Sequence, residues 1–357
     1  MTEAVAWDVA ERVAVRAAGR EPFAESYHFD SLQPDFTELT AQAEQLVEDT
    51  TGLRSTAGAA RGVVTDRAGW IRANIASFQR MLHPLSERLG DRMGSSPLAP
   101  VTRRVTGTEV GLLLGWMSTR VLGQYDLLVV EDDRPEDQDI VYFVGPNVLS
   151  LEKRFAFPPR EFRLWLALHE VTHRAQFTGI PWMREHFLGL VHKLLDSVDP
   201  DPKRFVDAIG RAVTDLRSGN NPLDEGGLAA LVATPEQRDV LQRLSGLMSL
   251  LEGHGDVTMD RAGADLIPSA PRFSRVLRQR RRQASGMTRI LQRLVGIEAK
   301  LAQYEQGERF IEVVETAGGP ELLNRAFDGP QWLPNMAEVR EPKEWIERVE
   351  LSDQLAG

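Results

Sequence analysis

His169-Glu170-Val171-Thr172-His173 is the feature that most restricts this chain. Two histidines four residues apart can act together only if the segment is α-helical, because in a helix the side chains at i and i+4 share a face. Phe162, Trp165, Leu166 and Leu168 supply the apolar surface that buries such a helix. Pro158 and Pro159 suit its first turn, and Gly179-Ile180-Pro181 stops it, so the spacing predicts one long helix from the proline pair to Gly179. On its face His169 and His173 can hold one Zn²⁺ with two imidazole nitrogens, and Glu170 is placed to accept a proton from water that the metal activates. With 7 histidines and 52 acidic residues among 357, a shuffled chain would carry this pattern with a probability of about 0.02. The bland alternative is two histidines that merely cap or hydrogen-bond on a helix face.

The chain contains no cysteine, which removes thiol catalysis, iron–sulfur clusters and thiolate zinc sites and leaves His, Asp and Glu as the strong metal ligands. A catalytic zinc needs a third protein ligand and an open fourth position. The extended motif with glycine and histidine three and six residues after the second histidine is excluded, since Gln176 and Gly179 stand there. Leu251-Glu252-Gly253-His254-Gly255-Asp256 is the best source of the missing ligand. On a helix Glu252 and Asp256 share a face, whereas His254 points about 200° away from Glu252. One ligand with one supporting acid therefore fits better than three ligands. Glu252 is the favoured ligand, with His254 and Asp256 as alternatives, and Asp256 would then orient a zinc-bound imidazole through its free ring N–H. Glycine within a helix costs about 1 kcal/mol relative to alanine, so Gly253 and Gly255 suggest a close approach.

Other candidates are weaker. His186 and His192 lie on different helix faces and read as ordinary core or surface histidines. Tyr304 could supply a phenol to steady an oxyanion, or simply be a buried phenol with one hydrogen bond. From Arg272 to Arg293 there are eight arginines and no acid, so the net charge of −10 hides a remainder of −18. This run, which includes Arg280, Arg281 and Arg282, could bind an acidic partner, phosphate groups or RNA but reads more simply as a solvated helix face; the overall charge argues against general nucleic-acid affinity.

Composition, at 42% hydrophobic and 26% charged residues, is that of an ordinary globular protein. No stretch is apolar enough to span a membrane, and the N-terminal segment lacks the unbroken apolar run of an export signal, so a cytoplasmic location is expected. Helical periodicity covers Phe36 to Val47, Trp70 to Leu89 and Val110 to Leu122, the last with Gly107, Gly111 and Gly115 forming a smooth face for a close neighbour. Two short strands follow at Asp126–Val130 and Ile140–Val144, with a third extended piece at Asn147–Leu151. The strand at Ile140–Val144 could pair along its edge with an extended substrate. Thr234-Pro-Glu-Gln237 is a capping box expected to start a helix reaching about Gly263, and helices return from Arg272 to Ala317 and from Lys343 to Gln354. The organisation expected is a helical region over 1–120, a catalytic core over 121–265 and a helical region over 266–357 packing on that core. The fold class is mainly α, with helical lobes around a small β-sheet that precedes the H-E-x-x-H helix.

Four stretches together carry a resemblance: His169-Glu-Val-Thr-His-Arg-Ala-Gln-Phe177, Val121-Leu-Gly-Gln-Tyr-Asp126, Ser249-Leu-Leu-Glu-Gly-His-Gly-Asp256 and Lys300-Leu-Ala-Gln-Tyr-Glu-Gln-Gly-Glu-Arg-Phe310. They resemble the zincin-like hydrolases of bacteria, whose members are labelled zinc-dependent metalloproteases or proteins associated with biosynthesis of a deazaflavin coenzyme. The resemblance spans about Phe36 to Val349 and implies a mostly helical zincin-like fold with a Zn²⁺ site. The expected function is a zinc-dependent hydrolase acting on a peptide or other amide. The alternative is a non-catalytic zinc-containing binding or assembly protein, which a fourth protein ligand closing the site would favour.

Overall fold

The computed structural model describes residues 5–23, 25–93, 99–127, 139–196, 234–282 and 297–356. The chain packs as two units, Met1–Gly179 with Thr258–Phe273, and Ile180–Val257 with Ser274–Gly357.

In the first unit the elements run α1 (Trp7–Ala18), α2 (Tyr27–Asp30), α3 (Leu32–Thr51), β1 (Arg61–Thr65), α4 (Arg67–Met93), α5 (Ala99–Ser118), β2 (Gly123–Tyr125), β3 (Ile140–Val144), α6 (Gly145–Phe155) and α7 (Pro159–Gly179). The smooth glycine face of α5 serves as expected. A Cβ at Gly107, Gly111 or Gly115 would collide with the backbone carbonyl of Ala6, Ala10 or Ala14, so α1 and α5 pack backbone to backbone.

The three strands form one sheet in the order β1-β3-β2. β3 pairs in parallel with β1, Val141 opposite Gly62, and antiparallel with β2, Tyr142 opposite Gln124. Because β3 is central, both of its edges are taken, and the expectation that it pairs with an extended substrate is overturned. The outer edge of β1 is covered by a side chain: Gln33 donates to the Gly62 carbonyl at 2.9 Å and accepts from the Val64 N–H at 2.8 Å, standing in for a further strand. The supposed extended piece at Asn147–Leu151 is also corrected, since those residues belong to α6. Pro146 in its first turn suits a helix start, and burial of Val148, Leu149 and Leu151 gives an apolar run that either period could produce. Of the strand expected at Asp126–Val130, residues 128–130 lie outside the described set, and pairing is found slightly earlier, at β2.

α7 is the axis of this unit, with Phe162, Leu164, Trp165, Leu166, Ala167 and Leu168 all buried. It runs beside α3, and two buried arginines on one of its faces pair with acids of that helix. Arg163 forms a two-point contact with Glu152 at 2.8 and 2.9 Å and also reaches Asp35. Burial pushes the Glu152 carboxyl above its usual range, opposed by the Arg163 guanidinium. Three turns later Arg174, 1% exposed, donates to Asp139 at 2.9 and 2.6 Å, to Glu44 at 2.6 Å and to the Gly58 carbonyl at 2.7 Å.

In the second unit lie α8 (Met183–Asp196), the part of α9 (Pro235–Ala262) up to Val257, α10 (Ala270–Arg282) from Ser274, α11 (Ile297–Asn324), α12 (Met336–Arg340) and α13 (Pro342–Ala356). The capping box at the start of α9 is present in both directions: Gln237 N–H donates to Thr234 Oγ1 at 3.2 Å, and Thr234 N–H to Gln237 Oε1 at 2.7 Å. Gly318 and Gly319 break α11, Gly319 with a φ of +75° that favours glycine. A core of Leu250, Phe310, Ile311, Val314, Trp345 and Val349, among others, holds this unit together.

Candidate metal centre

The predicted helix and α7 coincide, both ending at Gly179. His169 and His173 lie one turn apart on it, their rings 4.6 Å between centroids and almost perpendicular. Their Nε2 atoms stand 3.2 Å apart. Two nitrogens bound to one tetrahedral zinc, with bonds of about 2.0–2.1 Å, would lie about 3.3–3.4 Å apart. The pair therefore fits a shared zinc ion.

Glu170 projects from a different side of α7, toward the sheet. Its Oε2 accepts the Tyr125 N–H of β2 at 3.1 Å, and the side chain is buried. β2 is shaped for this contact. A Cβ at Gly123 would sit 2.7 Å from Glu170 Cγ and 2.8 Å from Oε1, so only glycine leaves room for the carboxylate. On the neighbouring position Gln124 accepts the Trp70 indole N–H at 2.8 Å and donates to Asn74 at 3.1 Å, which ties the strand to α4. Motif reasoning missed Gly123; a glycine inside a short strand was the available signal.

This packing yields a test that needs no substrate. Gly123→Ala should cost about 1–3 kcal/mol of stability through overpacking against Glu170. The same substitution in a Glu170→Ala background should cost far less, because the colliding atoms are gone. Equal losses in urea denaturation in the two backgrounds would refute the contact.

In the second unit Glu252 is buried on α9, 5% exposed. Gly253 beside it bears out the expected close approach: a Cβ there would collide with the Gly307 backbone of α11, and one at Gly307 with the Ser249 carbonyl. His254 is buried with its ring edge-on to Phe327, centroids 5.2 Å apart. Of the three residues read as metal ligands, His169 and His173 belong to the first unit and Glu252 to the second.

The remaining candidates fall as follows. Tyr304 lies on α11, but its side chain is outside the described set, as are those of Arg280, Arg281 and Arg282 and all of residues 283–296. Arg272 donates to the carbonyls of Phe155 and Ala156 at 2.5 and 3.3 Å, while Phe273 and Leu277 of the same helix are buried. His192 is exposed, and His186 packs on Trp182 with its pKa pushed down by burial and by Lys193 and Arg243. No helix among the described residues is long and apolar enough to cross a membrane.

A family model described as zincin-like metallopeptidase matches residues 5–346. The chain belongs to that family. A crystal structure from Chloroflexus aurantiacus, described as that of a candidate hydrolase with a novel fold, is 30% identical, with a TM-score of 0.71 over 97% of this chain and 99% of that one. No curated protein matches the chain. Membership of the zincin-like metallopeptidases implies a metal, usually zinc, and the spacing of the two imidazole nitrogens fits that ion.

Proposed function

We propose that this zincin-like metallopeptidase is a zinc-dependent hydrolase acting on peptide or related amide bonds, with His169, His173 and Glu252 as metal ligands and Glu170 as general base. The observation that carries the proposal is the convergence of the His169 and His173 Nε2 atoms at zinc-ligand spacing, on the helix that also bears a fixed carboxylate at Glu170. Three protein ligands are what a catalytic zinc takes, its fourth position being kept for water or substrate.

When bound, zinc supplies Lewis-acid polarisation of a carbonyl and acidification of water. Glu170 takes a proton from the attacking water on a carboxylate oxygen and passes it to the departing amine nitrogen, so one residue serves as base and then acid. The Tyr125 N–H keeps the carboxylate from swinging away between the two transfers. Asp256 is assigned to orient a ligand imidazole, and Tyr304 to steady the oxyanion.

The test begins with metal. Wild-type protein should purify with close to one zinc per chain and cleave some member of a peptide library, cleavage being blocked by a chelator. His169→Ala and His173→Ala should each lose most of the zinc, since two ligands hold the ion poorly, yet keep a cooperative fold because a core of this size does not depend on metal as a zinc finger does. Wild-type zinc content in both variants would sink the site.

A further inference from the structure

We propose that Gln176 is a positioning residue that fixes the tautomer and ring orientation of His173 and so prepares it to bind metal. This rests on the zinc reading above and adds to it a residue outside the H-E-x-x-H motif. Gln176 lies three residues after His173, hence on the same face of α7, and is fully buried. Its Oε1 is 3.0 Å from His173 Nδ1. An amide oxygen only accepts hydrogen bonds, so with Oε1 turned to the ring, as assigned, Nδ1 carries the proton and donates it. In a neutral imidazole the other nitrogen, Nε2, then holds the free lone pair. That nitrogen is the one facing His169 Nε2 at 3.2 Å. One buried amide thereby decides which nitrogen can bind zinc and where it points.

Sequence alone gave no hint of this role, since Gln176 drew attention only as the residue that excludes the extended glycine-histidine motif. The burial explains why an amide suffices. A side chain shielded from water has no competing solvent partner, so its hydrogen bond to the ring is retained.

The experiment measures zinc affinity by chelator competition, together with apo-protein thermal stability. Gln176→Leu removes the acceptor at similar size and should weaken zinc binding about 10- to 100-fold, the usual effect of losing such a partner. Gln176→Glu keeps an acceptor at the same reach and should bind zinc within a few-fold of wild type. A merely structural role predicts another outcome: a lower melting temperature in the leucine variant with unchanged zinc affinity, which would overturn the proposal. Equal weakening by Leu and Glu would overturn it as well. If the leucine variant does not fold, nitrogen-15 NMR of metal-free wild type at pH 8.5 decides, with His173 expected in the Nδ1–H form and an Nε2–H form refuting the assignment. Loss of zinc in His173→Ala tests the underlying site separately, so failure of the Gln176 assignment alone leaves that site standing.

Discussion

Glu170→Gln will leave zinc content unchanged and lower turnover by a factor of about 10² to 10⁴, the usual worth of general-base assistance. The amide preserves the size of the side chain, and its oxygen can still accept the Tyr125 N–H that holds Glu170 against β2. What it loses is the ability to take a proton from the attacking water. None of the three proposed ligands, His169, His173 and Glu252, is altered by the substitution. The measurement is zinc per chain alongside kcat on whichever library peptide the wild type cleaves. Turnover at the wild-type rate would end the general-base assignment, and zinc loss would mean that Glu170 supports the metal instead.

Arg174→Met should cost about 3–5 kcal/mol, read as a fall in the urea midpoint at unchanged slope. Arg174 is 1% exposed and satisfies Asp139, Glu44 and the Gly58 carbonyl at once, so its removal leaves two carboxylates without their cation. Against a typical total of about 5–15 kcal/mol, that loss is a large fraction of the stability. Replacing Glu44 with Gln and Asp139 with Asn in the same chain should recover part of it, because the stranded charges go with the cation. A loss below about 1 kcal/mol in Arg174→Met would show that the network is solvated and contributes little.

Both predictions concern neighbours on one helix, and they differ in how visible they were in the sequence. The spacing of His169 and His173, the proline start and the glycine stop are local signals, and α7 runs to the residue they indicate. The capping box at Thr234 and the glycine face of α5 were legible for the same reason: each is a rule about residues a few positions apart. β1 was not legible. It is five residues long with Gly62 inside it, and it exists because β3 pairs with one edge and the Gln33 side chain covers the other. α6 was taken as extended because burial on several sides erases the contrast between faces from which a helical period is read.

The sequence by itself determined that two imidazoles would share a helix face with a glutamate beside them, since that follows from 3.6 residues per turn whatever surrounds the helix. Only the tertiary structure decided what those groups meet. The Tyr125 N–H and the space over Gly123 reach Glu170 from more than forty residues away, and Asp139 and Glu44 meet Arg174 from just before β3 and from α3. Hydrogen bonding and steric clearance between distant segments depend on how strands pair and helices pack, and local spacing does not encode that.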